Sequence, residues 1–179
     1  NGTMMIVDEV QTGIGRTGEW YGIQNFGVVP DIITMAKALG GGTPIGAVCS
    51  TDEISKVMTP GTHGTTFGGN PLVCAAGCAV LDIMKRDNIV PHVKDIGARW
   101  MADLKAIDSS MIKEVRGYGL IIGIQMDSSE TASKVQSYCR ENGVLINVAH
   151  GGTIRLIPPL ILEDGQKDVF TGLLREALD

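Results

Sequence analysis

The sequence predicts an α/β domain with a mixed, mostly parallel sheet, followed by a smaller α+β domain. Two apolar segments with β-branched residues, at 3–8 and 31–36, are typical of buried strands. The first ends at Asp8, and the second is followed directly by Lys37. In the second half of the chain the pattern changes to short strands mixed with helices. We therefore expect two domains, residues 1–90 and 91–179.

Local signals place the other elements of the first domain. They predict a glycine-rich loop at 11–18, a short helix at 19–26, a third strand at 45–50, a short helix at 52–58 and a loop at 60–69. A long helix is expected next, because Asn70 suits the N-cap and Pro71 suits the first helical position. Its apolar residues recur at helical spacing, at Leu72, Ala75, Ala79 and Ile83.

The second domain is predicted to contain a largely antiparallel sheet. Pro91 indicates a break before an amphipathic helix at 92–107. The other predicted elements are strands at 112–116, 120–126, 144–148 and 153–157, and helices at 129–142 and 163–178. Gly143 is a favourable stop for the first of these two helices.

Composition excludes some classes of partner. The 15 basic residues are scattered and the net charge is −5, which argues against nucleic acid or an anionic membrane as the main partner. No run of about 20 apolar residues suggests a membrane span. The four cysteines lack C-x-x-C spacing, and Cys74 and Cys78 share one face of the long predicted helix, which indicates core packing. A reduced, cytoplasmic protein is expected.

The segment Gly13–Gly18 matches the dinucleotide-binding pattern G-x-G-x-x-G, and Asp31 lies near the offset of a ribose-binding acid. Two features count against this interpretation. Five residues, Asp8–Thr12, separate the strand from the first glycine, and two more glycines and a proline interrupt the expected helix. A nicotinamide-dependent oxidoreductase stays a remote alternative.

Other site types find little support in the sequence. The histidines are isolated from one another, at His63, His92 and His150. Asp8 and Glu9 are adjacent in a strand and therefore point to opposite faces. No metal site is predicted, and no G-x-S-x-G segment indicates a serine nucleophile.

Asp8 and Lys37 suggest a more specific chemistry. A lysine amine forms imines with carbonyl compounds, and pyridoxal phosphate needs such a lysine together with a carboxylate at its ring nitrogen. A glycine- and threonine-rich loop at a helix N-terminus, as at 62–69, is suited to a phosphate. The same residues also fit an exposed Lys37 and an Asp8 that caps a turn or forms a salt bridge, so both interpretations stay open.

Separated motifs in the chain resemble the class-III, pyridoxal-phosphate-dependent aminotransferases of fold type I. These motifs are IVDEVQTGIGRTG, PDIITMAKALGGGTPIGA and GTHGTTFGGNPL, followed by EVRGYGLIIGI and IRLIPPL in the C-terminal half. The resemblance covers essentially all 179 residues. It implies that 1–90 belong to the large cofactor-binding domain and 91–179 to the small C-terminal domain. The third motif is most similar to acetylornithine aminotransferases, with succinylornithine and ornithine aminotransferases next.

The resemblance implies roles for individual residues around pyridoxal phosphate. Asp8 would pair with the pyridinium nitrogen, Val10 would pack against one face of the ring, and Gln11 would hydrogen-bond the phenolic oxygen. Lys37 would bind the cofactor covalently and then carry a proton between the substrate α-carbon and the cofactor C4′ carbon. Independently of the resemblance, Glu9, Arg16 and the glycines of the loop are expected to be structural and to shape the turn after the strand.

Two further residues would act outside this group. Thr66 would reach the cofactor phosphate of the neighbouring subunit, so that a homodimer shares its active sites. Arg155 would bind a substrate carboxylate with its rigid fork of donors. Alternatively, Thr66 hydrogen-bonds its own loop and Arg155 forms an intramolecular salt bridge.

The implied reaction is amino-group transfer between N-acetylornithine and 2-oxoglutarate, in arginine metabolism. The enzymes that this chain resembles are about twice as long. Their N-terminal half, which would precede residue 1 here, would carry the main phosphate-binding loop and the aromatic residue stacked on the cofactor ring. The 179 residues are therefore expected to be a fragment without a complete active site.

Overall fold

The computed structural model describes residues 2–179 and divides the chain into two compact units, one ending at Val90 and the other beginning at Pro91. The strands are β1 Ile6–Asp8, β2 Ile32–Met35, β3 Ala47–Ser50, β4 Ile112–Tyr118, β5 Ile121–Met126, β6 Asn147–Ala149 and β7 Thr153–Leu156. The α-helices are α1 Asp52–Ser55, α2 Pro71–Arg86, α3 Ile89–Lys105, α4 Ser129–Glu141 and α5 Asp164–Leu178. Two 3-10 turns occupy Gly22–Phe26 and Lys37–Gly40.

The first unit contains a mixed three-stranded sheet in the order β1-β2-β3. Strands β1 and β2 are parallel, with Ile6 opposite Ile32 and Asp8 opposite Thr34. Strand β3 runs antiparallel to β2. The predicted α/β class with a mixed sheet is confirmed, although β1 is shorter than the strand expected at 3–8.

Helix α2 begins as the sequence predicts. The side chain of Asn70 accepts a hydrogen bond from the Val73 N–H at 3.1 Å, and Pro71 occupies the first turn. Because the first N–H groups of a helix lack partners within the helix, this cap removes one unsatisfied donor. Lys85 and Arg86 lie in the last turn, where positive charges interact favourably with the negative end of the helix dipole.

The buried face of α2 is not the one formed by the apolar residues that indicated the helix. Val73, Gly77 and Met84 are buried, whereas Leu72 is 76% exposed. Cys74 and Cys78 are exposed as well, so their assignment to the core is wrong for the described chain. The reason is that α2 packs on the Lys37–Gly40 turn through the Gly77 side, which spacing alone did not identify.

The second unit contains the predicted antiparallel sheet, in the order β4-β5-β7-β6. Alternate residues of its strands form a buried face, made by Val115, Ile122, Ile124, Ile154 and Leu156. Helix α4 contacts β5, β6, β7 and α5. Because strand side chains alternate between faces, the intervening residues form a second face that is more exposed and polar. Within residues 2–179, no helix is both long and apolar enough to cross a membrane.

The prediction that Pro91 interrupts the helical structure is wrong. Helix α3 starts at Ile89, so Pro91 lies in its first turn. A proline is tolerated there because the N–H groups of the first turn have no partner within the helix. Helices α2 and α3 are separated at Asn88, which follows the end of α2 and adopts a φ of 52°.

Helix α3 approaches the β4–β5 hairpin closely at Gly97. A Cβ atom built at Gly97 would lie 2.4 Å from the carbonyl oxygen of Gly119, closer than real Cβ contacts. We therefore predict that Gly97→Ala destabilises the full-length protein by about 1–3 kcal/mol, the usual range for overpacking. Urea unfolding of the variant measures this loss.

Gly172→Ala is the matched control for that prediction. Gly172 also lies within a helix, α5, but a Cβ there would meet no atom within 4 Å. Alanine is favoured over glycine in helices by up to about 1 kcal/mol, so this variant should be as stable as the parent or more so. Equal stability of the two variants would contradict the close contact at Gly97.

Candidate active site

Asp8 and Lys37 lie at the same edge of the first sheet. Asp8 is the last residue of β1 and is paired with Thr34 of the parallel strand β2. Lys37 begins the 3-10 turn that follows β2. Because the carboxyl ends of parallel strands meet at one edge, where α/β proteins bind ligands, the acid and the amine face a common region.

The backbone of Lys37 is strained. Its φ is 42°, in the left-handed region that residues with a side chain rarely occupy. The Lys37 side chain is exposed in the described chain. Strain of this kind persists only where surrounding structure imposes it, and it is concentrated at functional positions.

Helix α2 and a run of glycines hold the Lys37 turn in place. Gly41 ends the turn with a φ of 57°, and a Cβ there would lie only 2.8 Å from Cγ2 of Val80. On the helix side, a Cβ at Gly77 would lie 3.5 Å from the carbonyl oxygen of Leu39. The missing side chain of Gly41 therefore lets the turn approach the helix closely, whereas the contact at Gly77 is an ordinary van der Waals contact. Sequence reasoning missed Gly77, and its signal was a lone glycine inside a helical pattern.

Asp8 and Gln11 present polar groups around this edge. Asp8 is exposed, and its Oδ1 accepts a hydrogen bond from the Val10 N–H at 2.9 Å. The turn-capping role left open by the sequence is thus present, on one carboxylate oxygen. Val10 and Gln11 are half-buried. No hydrogen bond from the Gln11 amide is found among residues 2–179.

Glu9 has a different environment from its neighbour. Glu9 is buried, with only 2% of its surface exposed. Its oxygens accept hydrogen bonds from the N–H groups of Gly22 at 2.9 Å and Ile23 at 2.7 Å, and from the Thr12 hydroxyl. The prediction that Glu9 shapes the turn after the strand is confirmed, since it ties the loop to the Gly22–Phe26 turn.

The loop after β1 folds on itself and does not open a helix. Ile14 is 1% exposed and has a φ of 54°, so the loop has its own buried centre. A 3-10 turn starts only at Gly22, four residues after the third glycine of the pattern. This geometry lacks the helix N-terminus that holds a dinucleotide pyrophosphate. Burial lowers the pKa of the Arg16 guanidinium in the same loop.

Thr66 lies in the exposed loop before α2. Its hydroxyl makes no hydrogen bond within the part of the chain that the structure describes, so the alternative of a bond to its own loop finds no support. The loop is tied down nearby, since the Asn70 amide donates to the Phe67 carbonyl oxygen at 2.8 Å. The Thr66 hydroxyl is therefore available to a group outside the described chain.

Arg155 lies in β7 on the exposed face of the second sheet. Across residues 2–179 its guanidinium has no ion pair or hydrogen bond, so the alternative of an intramolecular salt bridge finds no support. It borders a mainly apolar cavity of about 780 Å³, whose lining includes Trp100, Pro158 and Phe170. A free arginine beside an apolar cavity is suited to a carboxylate attached to a carbon chain.

The structure thus places Asp8 and Lys37 after two neighbouring parallel strands of the first unit, with Val10 and Gln11 in the loop that follows Asp8. Thr66 belongs to the same unit, and Arg155 belongs to the other. No group of three or more acidic, histidine or cysteine side chains within residues 2–179 is placed to hold a metal ion.

Comparison with known proteins identifies the family. The family model described as aminotransferase class-III matches residues 1–178. The chain belongs to the class-III aminotransferases. This membership confirms the predicted family, fold type and dependence on pyridoxal phosphate.

Similar curated proteins carry related names. The acetylornithine aminotransferase of Aquifex aeolicus is 42% identical over 98% of this chain and 45% of its own length. That of Mycobacterium tuberculosis strain H37Rv is 41% identical over 99% of this chain and 44% of its own. Ornithine aminotransferase 1 of Staphylococcus saprophyticus is 40% identical over 98% and 44%. The chain spans less than half the length of these curated relatives.

Solved structures agree with this family. Ornithine aminotransferase from Toxoplasma gondii, whose structure has partial occupancy of pyridoxal phosphate at the active site, is 35% identical with a TM-score of 0.91. The match covers 98% of this chain and 42% of the Toxoplasma gondii chain. An S-selective transaminase from Arthrobacter is 32% identical with a TM-score of 0.93, over 99% and 44%.

The residues of the first unit fit the family's cofactor. An exposed carboxylate at Asp8, a strained and exposed Lys37, and the unpaired polar groups of Gln11 and Thr66 supply the donor and acceptor types that pyridoxal phosphate requires. None of these groups is engaged in a buried network of its own within the described chain.

Proposed function

We propose that the full-length protein is a pyridoxal-phosphate-dependent aminotransferase that moves an amino group between N-acetylornithine and 2-oxoglutarate, in cytoplasmic arginine biosynthesis. The observation that carries the proposal is the position of Asp8 and the strained Lys37 at one edge of two parallel strands, in a chain of this family. The relatives named acetylornithine aminotransferase support the choice of substrate.

Each residue at the sheet edge has a proposed task. When bound, pyridoxal phosphate supplies an electron sink for the substrate carbon. The Asp8 carboxylate keeps a proton on the ring nitrogen, Val10 packs against the ring, and Gln11 donates to the phenolic oxygen. The amine of Lys37 holds the cofactor covalently, and once released it takes the proton from the substrate carbon that bears the amino group.

The remaining proposed contacts lie outside this edge. The Thr66 hydroxyl donates to the cofactor phosphate of the neighbouring subunit, so the functional unit is a homodimer with shared sites. Arg155 binds a substrate carboxylate, which its free guanidinium and exposed position support. The domain assignment follows the same proposal, with 1–90 as part of the cofactor-binding domain and 91–179 as the small domain.

A labelling experiment tests the assignment of Lys37. Borohydride reduction of the full-length, cofactor-loaded enzyme should fix a pyridoxyl group on the tryptic peptide that contains Lys37. Mass spectrometry of the digest identifies the modified lysine. A pyridoxyl group on a different lysine, with the Lys37 peptide unmodified, would contradict the proposal.

Ornithine is a second candidate amino donor, because the chain is 40% identical to an ornithine aminotransferase. Succinylornithine and 4-aminobutyrate are further candidates within the class. Comparing kcat/KM for these four donors with 2-oxoglutarate as acceptor decides among them. The proposed function requires N-acetylornithine to give the highest value.

A further inference from the structure

Asn70 joins helix α2 to the loop that carries Thr66. The Oδ1 atom of its side chain accepts a hydrogen bond from the Val73 N–H at 3.1 Å, which caps the helix. Its Nδ2 atom donates to the carbonyl oxygen of Phe67 at 2.8 Å. The two bonds fix the orientation of the amide, because an N–H needs its oxygen and a carbonyl needs its nitrogen. One side chain thus binds both the first turn of α2 and the backbone directly after Thr66.

The loop before α2 has little else to hold it. Residues 61–69 are all exposed, and Phe67 itself is 80% exposed, so no side chain of this segment is packed in a core. Among the side chains of residues 2–179, only that of Asn70 makes a hydrogen bond to the backbone of residues 63–69. The conformation of the backbone beside Thr66 therefore depends on the Asn70 amide.

Two glycines allow the loop to turn back toward Asn70. Gly69 has a φ of 68°, in the left-handed region that favours glycine. A Cβ built at Gly68 would overlap Cγ2 of Thr65, so the chain folds tightly on itself at this point. The segment between Thr66 and α2 is therefore a short, compact turn, and the amide of Asn70 closes it.

Helix α2 is a firm support for this amide. The helix packs on the Lys37–Gly40 turn, and the Cys74 N–H bonds the carbonyl oxygen of Asn70 at 3.2 Å. The backbone of Asn70 is thus held by a 16-residue helix that is itself anchored in the first unit. Through the Phe67 carbonyl, the Asn70 side chain extends this fixed position to the residue next to Thr66.

We propose that Asn70 is a positioning residue for the cofactor phosphate, and that it holds the Thr66 hydroxyl in place through the Phe67 carbonyl. The proposal rests on the proposed function, because it takes Thr66 as a phosphate contact. It adds a residue that touches neither cofactor nor substrate but sets how well Thr66 binds. Since the cap bond to Val73 uses the other end of the amide, substitutions can separate the two tasks.

Cofactor with and without its phosphate tests this role in the full-length, cofactor-free protein. Pyridoxal phosphate and pyridoxal both form an imine with a lysine amine, and absorbance titration measures the Kd of each. Asn70→Ser keeps a good N-cap group but loses the amide N–H that reaches Phe67. This variant should raise the Kd of pyridoxal phosphate about 10-fold and leave that of pyridoxal unchanged, because only the phosphate contact is weakened.

A double variant shows whether Asn70 acts through Thr66. Thr66→Ala should itself raise the Kd of pyridoxal phosphate about 10–100-fold, since a hydrogen bond to a charged group is lost. In that background, adding Asn70→Ser should cause no further loss, because the group that it positions is already missing. Additive effects of the two substitutions would overturn the proposal.

Ser128→Ala is the matched control for loss of a helix cap. Ser128 caps α4 by accepting a hydrogen bond from the Thr131 N–H at 3.0 Å, and it lies in the other unit. Its replacement should lower the resistance to urea without changing either Kd. Asn70→Ser should show the reverse, with unfolding at the urea concentration of the parent, because serine caps a helix about as well as asparagine.

The outcomes separate this proposal from the proposed function. If Thr66→Ala leaves the Kd of pyridoxal phosphate unchanged, the role of Thr66 in the proposed function is wrong and that of Asn70 falls with it. If Thr66→Ala weakens pyridoxal phosphate but Asn70→Ser weakens neither compound, or weakens both equally, only the role of Asn70 is wrong. Selective weakening of pyridoxal phosphate by Asn70→Ser, absent in the Thr66→Ala background, supports the proposal.

Discussion

Replacing Lys37 by alanine lowers the amino-transfer rate of the full-length enzyme by at least about 10²–10⁴-fold, the contribution typical of a positioned acid–base group. The amine of Lys37 is the group proposed to hold the cofactor and move the proton, and no other lysine follows β2 at this edge of the sheet. Arginine at 37 should be equally inactive, because its guanidinium stays protonated and cannot accept the proton. Steady-state transamination measures both variants.

A rescue experiment distinguishes proton transfer from a structural effect. A small primary amine such as methylamine, added to Lys37→Ala, should restore part of the activity because it can accept the same proton. Lys85→Ala is the control, since Lys85 is an exposed lysine in the last turn of α2 and should retain full activity. Full activity in Lys37→Ala would show that the base lies elsewhere.

The sequence placed Asp8 and Lys37 next to strand ends because each follows a short apolar segment with β-branched residues, although β1 is not the buried strand that was expected, since Ile6 is 65% exposed. Once β1 and β2 are parallel neighbours, their final residues must share an edge. The Asn70–Pro71 start of α2 was predictable for a similar reason, since capping depends on a few adjacent residues. These signals are local, and local signals are what a single sequence records best.

The features that the sequence did not predict depend on contacts between distant residues. The left-handed φ of Lys37 occurs in a turn that packs on α2, where a Cβ at Gly41 would lie only 2.8 Å from Cγ2 of Val80. The buried face of α2 is set by the same contact, so Cys74 and Cys78 could not be placed from their spacing.

Asp8 and Glu9 form the sharpest internal comparison in the chain, because adjacent carboxylates of one strand end have opposite surroundings. We predict that Asp8→Asn preserves stability, within about 0.5 kcal/mol as for most exposed sites, and lowers activity about 10–100-fold. The asparagine carbonyl can still accept the Val10 N–H that now bonds Oδ1. A neutral amide cannot keep a proton on the ring nitrogen, so the loss should appear in kcat rather than in unfolding.

Glu9→Gln should show the reverse pattern. One oxygen can still accept the Ile23 N–H, but the amide nitrogen then faces the N–H of Gly22, and two donors meet in a buried space. Leaving a buried donor unsatisfied costs about 1–3 kcal/mol, so urea unfolding of the full-length protein should shift by that amount. Activity per folded molecule should stay unchanged, because the hydrogen bonds of the Glu9 carboxylate go to Thr12, Gly22 and Ile23 of the loop region. If Glu9→Gln lost activity without losing stability, the two carboxylates would have to exchange their proposed tasks.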